Sequence, residues 1–200
     1  MNKFESSPIV KAFKRSILKL GNHKKHTFIV GVSGGLDSMV LLYLLHRLSM
    51  NCTVAHCNYG LRGSESDSDM RLVEEISSMW GFECITAQFD STKAETSNTQ
   101  TWARDLRYTM FRDLKRELNA DYITTAHHRD DQVETILLKV LRGSGPGAWS
   151  GMSVVDGDLF RPLLHLTRQQ IVDFANTHHV PFRDDETNSQ SVYARNFIRN

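Results

Sequence analysis

Short apolar runs alternate with segments of helical spacing along the chain. The runs are rich in β-branched residues, which is typical of buried strands. The segments between them repeat apolar residues at intervals of three and four, which is typical of helices. This pattern predicts strands over 27–32, 52–57, 82–87, 121–126 and 158–164. It predicts helices over 8–20, 37–50, 65–80, 100–118, a segment ending near 141, and 168–178, the last with Thr167 as its N-cap.

The alternation predicts an α/β protein with a parallel sheet of about five strands and helices on both faces. Parallel strands require crossover connections, and in such units these are right-handed. Ligands of such sheets bind outside the carboxyl ends of the strands, where the strand order reverses. Unusual polar residues follow the first, second and fourth predicted strands, so we expect the functional site at that edge.

A turn of small residues after the first strand is the most specific chemical signal in the sequence. Gly34 and Gly35 allow a ligand to approach the backbone closely. The free N–H groups and the positive dipole end of the following helix favour an anion. Asp37 is consistent with bound phosphates if Mg²⁺ lies between them. The turn therefore predicts a phosphate-binding loop made of Ser33, Gly34, Gly35, Leu36, Asp37 and Ser38.

Other loops of similar composition match less well. A Walker A loop needs Lys and then Ser or Thr, whereas this chain has Asp37 and Ser38. The dinucleotide pattern Gly-x-Gly-x-x-Gly is absent. The segment 31–35 also matches the Gly-x-Ser-x-Gly turn of serine hydrolases, with Ser33 as nucleophile. Only a helical segment precedes the strand and no His-Gly-Gly loop occurs, which disfavours a hydrolase.

Acidic residues at the start of the helix after the fourth strand form a second candidate site. Asp131 and Glu134 are three residues apart, so both carboxylates can face one direction. They can hold Mg²⁺ or the ammonium group of an amine substrate. Alternatively, Asp130 and Asp131 interact only with the helix dipole. The neighbouring His127 and His128 also raise the possibility of zinc, but adjacent histidines do not readily point at one tetrahedral site.

The helix over 100–118 carries both a predicted core stripe and a pair of arginines. Arg104 and Arg107 are three residues apart and share one face of the helix. Together they can bind a phosphate bidentately, or they are simply solvated. The stripe, which we expect to pack in the core, consists of Trp102, Leu106, Met110, Leu114 and Leu118.

Composition is that of an ordinary globular protein, with 40% hydrophobic and 24% charged residues. The formal net charge of +1 means that any basic surface for nucleic acid must be local. Cys52, Cys57 and Cys84 form no Cys-x-x-Cys pair and indicate reduced thiols. Neither a run of membrane-spanning length nor a signal peptide occurs, so we expect a cytoplasmic protein without a membrane partner.

On these residues the chain resembles the tRNA(Ile)-lysidine synthase family along nearly its whole length. The segment 33–38 resembles the pyrophosphate loop of the N-type ATP pyrophosphatases, and an ordered set of further stretches points to this family. Tyr59 departs from the His that is frequent at its position. The stretches are His56-Cys57-Asn58, Leu61-Arg62-Gly63, Ala103-Arg104-Asp105-Leu106-Arg107-Tyr108, Thr125-Ala126-His127-His128, Asp131-Gln132, Glu134-Thr135, Arg142-Gly143-Ser144-Gly145, Arg161-Pro162-Leu163, Asp185, Asn188 and Tyr193-Ala194-Arg195-Asn196.

The resemblance implies a Rossmann-like, adenine nucleotide alpha hydrolase-like fold and a defined reaction. In that family, L-lysine is ligated to C2 of the wobble cytidine (position 34) of isoleucine tRNA with the anticodon CAU. ATP first adenylates the C2 oxygen and releases pyrophosphate, and the lysine ε-amine then displaces AMP. The chain is thus expected to be a carbon–nitrogen ligase that uses ATP and Mg²⁺. A tRNA cytidine thiolase, which would need cysteines for an iron–sulfur cluster, and a non-catalytic ATP-binding module are the alternatives.

The resemblance also implies roles for individual residues. The loop residues Ser33, Gly34, Gly35, Leu36 and Ser38 would bind the phosphates of ATP, and Asp37 would engage Mg²⁺ through pyrophosphate. The adenosine would lie between His56 and Ala126. The catalytic candidates are Asp37, Asp131 and Glu134, and the candidates for contact with lysine or tRNA are Arg104, Arg107, His127 and Arg195.

The proposed chemistry makes a demand on the site. The ε-amine of lysine has a pKa of about 10.4, so only about one part in two thousand is neutral at pH 7. Desolvation, a carboxylate or a histidine must promote loss of its proton. Asp131, Glu134 and His127 are candidates that the sequence does not rank.

Residues 1–200 are expected to form a single catalytic domain. Its core would be 22–165, and 166–200 would be a helical extension toward tRNA-binding domains that this chain lacks. We therefore expect the chain to bind ATP but to hold tRNA weakly and turn over slowly, and a homodimer is left open.

Overall fold

The computed structural model describes residues 3–21, 25–93, 99–143, 145 and 150–183. Its strands are β1 (Thr27–Gly31), β2 (Asn51–Asn58), β3 (Glu83–Gln88), β4 (Tyr122–Thr124), β5 (Val155–Asp156) and β6 (Leu159–Phe160). Its α-helices are α1 (Lys3–Ser6), α2 (Pro8–Leu18), α3 (Leu36–Arg47), α4 (Ser64–Met79), α5 (Thr99–Glu117), α6 (Arg129–Leu141) and α7 (Arg168–His178), and Ser91–Lys93 form a 3₁₀ turn.

The described strands form one sheet in the order β3-β2-β1-β4-β6-β5. Neighbouring strands are parallel except β5 and β6, which are antiparallel. The strand order reverses beside β1, because β2 and β4 flank it on either side. The predicted parallel sheet is confirmed. The edge strand β5 was missed because a two-residue strand is too short to show a period.

Alternate residues of β1 pack on opposite faces of the sheet, so the chain has helices on both faces as predicted. Val30 lies in the larger core, to which α2, α3, α4 and α7 contribute. Ile29 lies in the smaller core, where Phe111 and Leu114 of α5 pack against the sheet. The helices α2 and α7 lie outside the predicted core range 22–165 but pack in the same larger core.

The predicted core stripe of α5 is largely wrong. Leu118 is 40% exposed, and Trp102, Leu106 and Met110 are only half-buried. Residues four apart advance about 40° beyond a full helical turn, so a series of five turns away from the core. The buried face is instead made of Ala103, Tyr108, Phe111 and Leu114.

Glycine at position 31 permits the packing of α5 on the sheet. A Cβ there would lie 2.5 Å from Cζ of Phe111, which is closer than packed carbon atoms approach. The ring of Phe111 therefore occupies the space that a side chain at this position would need.

The helix α7 begins as its sequence predicts. The Thr167 hydroxyl accepts the N–H of Gln170, and the Gln170 side chain accepts the N–H of Thr167, which is a complete capping box. Among the helices in the described part of the chain, none combines the length and the apolar character needed to cross a bilayer.

Candidate functional site

A cavity of about 360 Å³ lies at the carboxyl edge of the sheet, beside the point where the strand order reverses. The loop after β1 forms its floor, and the ends of β2 and β4 and one face of α5 form its walls. Its charged lining groups are Asp37, Asp131, Arg107, Arg168 and Arg183. Three guanidinium groups around a loop of small residues favour an anionic ligand.

Two serine hydroxyls hold the predicted phosphate loop in shape. The Ser38 hydroxyl donates to the Gly35 carbonyl at 2.9 Å and accepts the Ser33 N–H at 3.1 Å. Gly34 has a φ of +90°, which an L-residue rarely adopts, and a Cβ there would lie 3.3 Å from Cβ of Asp69. No side chain among the described residues caps α3 at Gly35. The N–H groups of its first turn are therefore available to an anion, as predicted.

Asp37 presents an unsatisfied acceptor at this loop. Its Oδ1 atom is buried, and no described residue donates a hydrogen bond to it. Its Oδ2 atom is 3.6 Å from Nε2 of His128. A buried carboxylate oxygen without a donor is costly unless a ligand supplies a donor or a cation. This is the position that the sequence analysis assigns to Mg²⁺.

Fit to Mg²⁺ can be judged from the donors present. Mg²⁺ is usually held by one or two carboxylates together with substrate phosphates. Asp37 meets that requirement, whereas no group of three metal-binding side chains occurs among the described residues. The residues therefore fit a metal that arrives with phosphates and do not form a cage of their own.

His128 links the two acidic positions and was not among the predicted site residues. Its Nδ1 accepts the N–H of Asp130 at 3.2 Å, so Nε2 carries the proton that faces Asp37. Burial lowers the pKa of His128, but the Asp37 carboxylate, 3.6 Å away, and the charge of Asp131 outweigh burial and raise it overall. Only the fold places α3 and α6 close enough for this contact.

The structure separates the two carboxylates of the second candidate site. Asp131 lines the cavity, and its Oδ2 accepts the N–H of His128 at 2.9 Å in a capping box. Glu134 is buried and is not one of the described residues that line the cavity. Asp131 thus interacts with the start of α6, which is one of the two predicted alternatives, and it also lines the cavity.

His127 lines the cavity as a neutral imidazole. Its Nδ1 lies 2.8 Å from the Thr125 hydroxyl. Burial is the main reason that the pKa of His127 falls to about 4; the charge of Asp131 opposes the fall, and the charges of nearby arginines, Arg161 foremost, add to it. This pKa is roughly six units below that of a lysine amine, so His127 is a poor acceptor for its proton.

The two residues predicted to flank adenosine differ in position. Ala126 lines the cavity. His56 is buried, its Nδ1 lies 2.8 Å from the Val32 carbonyl oxygen, and it is absent from the described cavity lining. Burial lowers the pKa of His56. The observed contact joins β2 to the start of the loop, and a contact of His56 with adenosine stays a prediction.

The two arginines of the predicted pair also differ in position relative to the cavity. Arg107 lines the cavity, whereas Arg104 lies outside its described lining, with its guanidinium carbon 4.8 Å from the ring centroid of Tyr108. Arg195 lies outside the described residues. Sequence reasoning missed Arg168 and Arg183, because no local pattern distinguishes them from other polar-segment arginines.

Arg183 joins the segment after α7 to the phosphate loop. Its backbone N–H donates to the Gly34 carbonyl at 3.0 Å. Its guanidinium donates to Asp69 at 2.9 Å and also to Glu65. Asp69 packs against Gly34 and pairs with Arg62 at 2.7 Å. The loop is therefore supported from the side of α4 by residues distant in sequence.

A parallel α/β sheet with a glycine-serine phosphate loop at its switch point defines a class of nucleotide-site proteins. The chain belongs to the PP-loop domain family, whose sequence model matches residues 9–200.

Several curated relatives of this chain are tRNA(Ile)-lysidine synthases. The chain is 40% identical over 186 residues to the tRNA(Ile)-lysidine synthase of Bacillus subtilis, an alignment covering 88% of this chain and 39% of that protein. It is 37% identical over 185 residues to that of Clostridium tetani, covering 88% and 40%. It is 37% identical over 207 residues to that of Chlorobaculum tepidum, covering 100% and 61%. The chain thus spans roughly 40 to 60% of these relatives' length.

Solved structures share the fold at low identity. A U34-tRNA thiolase from Methanococcus maripaludis, solved with its [4Fe-4S] cluster, superposes with a TM-score of 0.73 at 19% identity, covering 95% of this chain and 70% of that chain. An NH3-dependent NAD synthetase from Campylobacter jejuni gives 0.60 at 16% identity, covering 86% and 72%. These similarities confirm the predicted Rossmann-like fold class.

Proposed function

We propose that this chain is the ATP-binding catalytic domain of a tRNA(Ile)-lysidine synthase. It would ligate L-lysine to C2 of the wobble cytidine of isoleucine tRNA with the anticodon CAU, and release AMP and pyrophosphate. The observation that carries the proposal is the uncapped start of α3 beside the orphaned Oδ1 of Asp37, in a cavity ringed by arginines. The similarity to curated lysidine synthases supports it.

The phosphates of ATP would lie along the loop. The N–H groups at the start of α3 would bind the terminal pyrophosphate, and Arg107, Arg168 and Arg183 would offset its charge. Asp37 would hold Mg²⁺ on this group through its unsatisfied Oδ1. When bound, the ion would stabilise the charge that pyrophosphate gains as it leaves.

The first step is attack on the α-phosphorus. The C2 oxygen of cytidine forms a bond to that phosphorus, and the bond from phosphorus to pyrophosphate breaks. In the second step, the lysine nitrogen bonds to C2 and the bond from C2 to the oxygen of AMP breaks. The loop and the arginines would keep pyrophosphate in place while the α-phosphate faces the open cavity.

The lysine amine must lose its proton before or during the second step. Asp131 is the acidic candidate of α6 that faces the cavity, and it would bind the ammonium group. The guanidinium of Arg107 in the same cavity favours the neutral amine, because like charges disfavour the protonated form. His127, whose pKa is about 4, would be no stronger an acceptor than a carboxylate, so the proton would pass to Asp131 as the bond from nitrogen to C2 forms and AMP leaves.

A cytidine thiolase is the nearest alternative, and the cysteine positions disfavour it. Cys57 lines the cavity, whereas Cys52 and Cys84 do not, and all three are described residues. They do not form a metal-binding group in this part of the chain. The donor set for a cluster held by three cysteines is therefore not assembled.

The proposed reaction can be tested by product analysis. The chain is incubated in excess over tRNA with ATP, Mg²⁺ and labelled lysine, and the RNA is then digested to nucleosides. We expect a lysine-labelled cytidine product that depends on ATP and on cytidine at the wobble position, with pyrophosphate released in equal amount. The Bacillus subtilis relative is the positive control, and the same tRNA with uridine at that position is the negative control. Pyrophosphate release that does not need tRNA, or the absence of label when the relative is active, would contradict the proposal.

A further inference from the structure

Three aromatic side chains form a cluster at the β2 side of the cavity. Tyr59 follows β2, Phe89 follows β3 and Trp102 lies in the first turns of α5. The rings of Tyr59 and Phe89 are stacked, with centroids 5.7 Å apart and planes 18° apart. The Trp102 ring meets Tyr59 edge-on at 6.0 Å. All three are only half-buried, so the cluster is not a closed part of the core.

Tyr59 connects this cluster to the phosphate site. It lines the same cavity as the loop residues, and neither Phe89 nor Trp102 is among the described lining residues. Phe89 and Trp102 therefore fix the orientation of the Tyr59 ring from outside the cavity. An aromatic face held in this way on the wall of a cavity suits a flat ring, because stacking needs a preset plane.

The hydroxyl of Tyr59 provides a second, independent observation. The oxygen atom is buried and has no hydrogen bond of good geometry to a described residue, although Cys57 and Arg107 lie close enough to interact with it. Cys57 and Arg107 are its polar neighbours and also line the cavity. Buried hydroxyls are nearly always paired, so one without a well-formed hydrogen bond at a cavity wall leaves room for a polar group of a ligand.

We propose that Tyr59 is the stacking platform for the unpaired cytosine base of the RNA substrate. Its ring would stack on the base, and its hydroxyl would bond to a polar group of the ribose or phosphate of the same nucleotide. The inference rests on the proposed function, which requires this base beside the α-phosphate of ATP.

The position of Tyr59 relative to the sheet favours cytosine over adenine as the base that stacks on its ring. Tyr59 lies just after β2, whose adenosine candidate His56 is buried outside the described lining, whereas Ala126, the adenosine candidate that lines the cavity, follows β4. Because β1 and its phosphate loop lie between these strands, the two walls are on opposite sides of the phosphates. A base on each wall would place both nucleotides against the same α-phosphate.

The test compares RNA with and without the base. Anticodon stem-loops carrying either cytidine or an abasic residue at the wobble position are titrated into the chain and two variants. Wild type should bind the cytidine form about tenfold more tightly, since one base–aromatic stack is worth roughly that factor. Tyr59→Leu should abolish the difference, and Tyr59→Phe should keep most of it. The matched control is Tyr43→Leu, which removes another half-buried tyrosine outside the described cavity lining and should keep the full difference.

The ATP affinity of the same variants shows whether Tyr59 contacts the adenine of ATP or the cytosine of the RNA. It should be unchanged by Tyr59→Leu; a loss of ATP affinity with no change in the cytidine preference would assign the ring to adenine and overturn the proposal. Equal binding of both stem-loops by wild type would also overturn it. If Tyr59→Leu fails to fold, a fluorescent cytidine analogue at the wobble position gives the answer with wild type, because stacking on Tyr59 should quench it. These binding measurements need no catalysis. The stacking proposal can therefore be wrong while the labelled nucleoside is still formed, and it can be right when no labelled nucleoside is formed.

Discussion

The helices α3 and α6 both begin at the carboxyl edge of the sheet and both bring a carboxylate to the cavity, yet they are held in opposite ways. Eight of the 12 residues of α3 are buried, whereas Glu134 alone of the 13 residues of α6 is buried. On α6, Val133, Leu137, Val140 and Leu141 are 40 to 72% exposed. The loop after β1 therefore leads into a well-packed helix, whereas Asp131 belongs to a weakly packed one.

Polar contacts take the place of apolar packing at α6. The Arg129 N–H donates to the Leu166 carbonyl at 2.8 Å, and the Arg168 N–H donates to Asp130 at 3.3 Å. The Gln132 side chain bonds to both backbone groups of Met152. Helices held by such contacts open more readily than core helices, because each net hydrogen bond contributes only about 1 kcal/mol. The difference indicates that the loop after β1 is held more rigidly than Asp131 on the other side of the cavity.

The largest effect is expected at the more rigidly held side of the cavity. Asp37→Ala should lower the rate of tRNA-dependent pyrophosphate release roughly a hundred- to a thousandfold, the cost of losing one preorganised electrostatic contact. The thermal midpoint should change little, because the Asp37 side chain is 31% exposed and stands at the helix start. The control is Asp113→Ala on α5, whose side chain is 55% exposed and pairs with Arg116. Retained activity in Asp37→Ala would remove this residue from the site.

A matched pair of leucine substitutions tests the difference in packing directly. Leu41 of α3 is fully buried, and Leu41→Ala should cost about 2–5 kcal/mol of unfolding free energy through a cavity. Leu137 of α6 is 40% exposed, and Leu137→Ala should cost less than about 1 kcal/mol. Urea denaturation of both variants gives the two values. Equal costs would show that α6 is packed as firmly as α3.

A smaller effect is expected from pH, at the residue that leads into α6. The pKa of His127 is about 4 in the folded chain and near 6.5 when unfolded, so the unfolded chain binds more protons between these values. Its contribution to stability is full above pH 6.5 and declines as the pH falls toward 4, by up to about 2 kcal/mol at pH 5. His127→Gln should lose this part of the pH dependence. Parallel stability curves for the variant and wild type from pH 7 to pH 5 would show that His127 is not held neutral.

Prediction from sequence succeeded where a local pattern carries the information. The order of strands and helices follows from periodicity and composition, and the strand-turn-helix arrangement around residues 33–38 follows from six adjacent positions. Prediction failed for α5, where i,i+4 spacing was taken for a straight stripe. The expectation that Asp131 and Glu134 can face one direction also failed, because residues three apart differ in angle around the helix axis by about 60°.

The sequence alone determined that this chain forms a parallel α/β sheet with a glycine-serine turn after β1, because backbone propensities and glycine conformations act within a few residues. Only the tertiary structure decided which distant side chains share the cavity: it brought Arg168, Arg183 and His128 to the loop and left His56 and Glu134 out of the described lining. The physical reason is that the distance between residues far apart in sequence depends on strand register and helix packing, which no local pattern encodes.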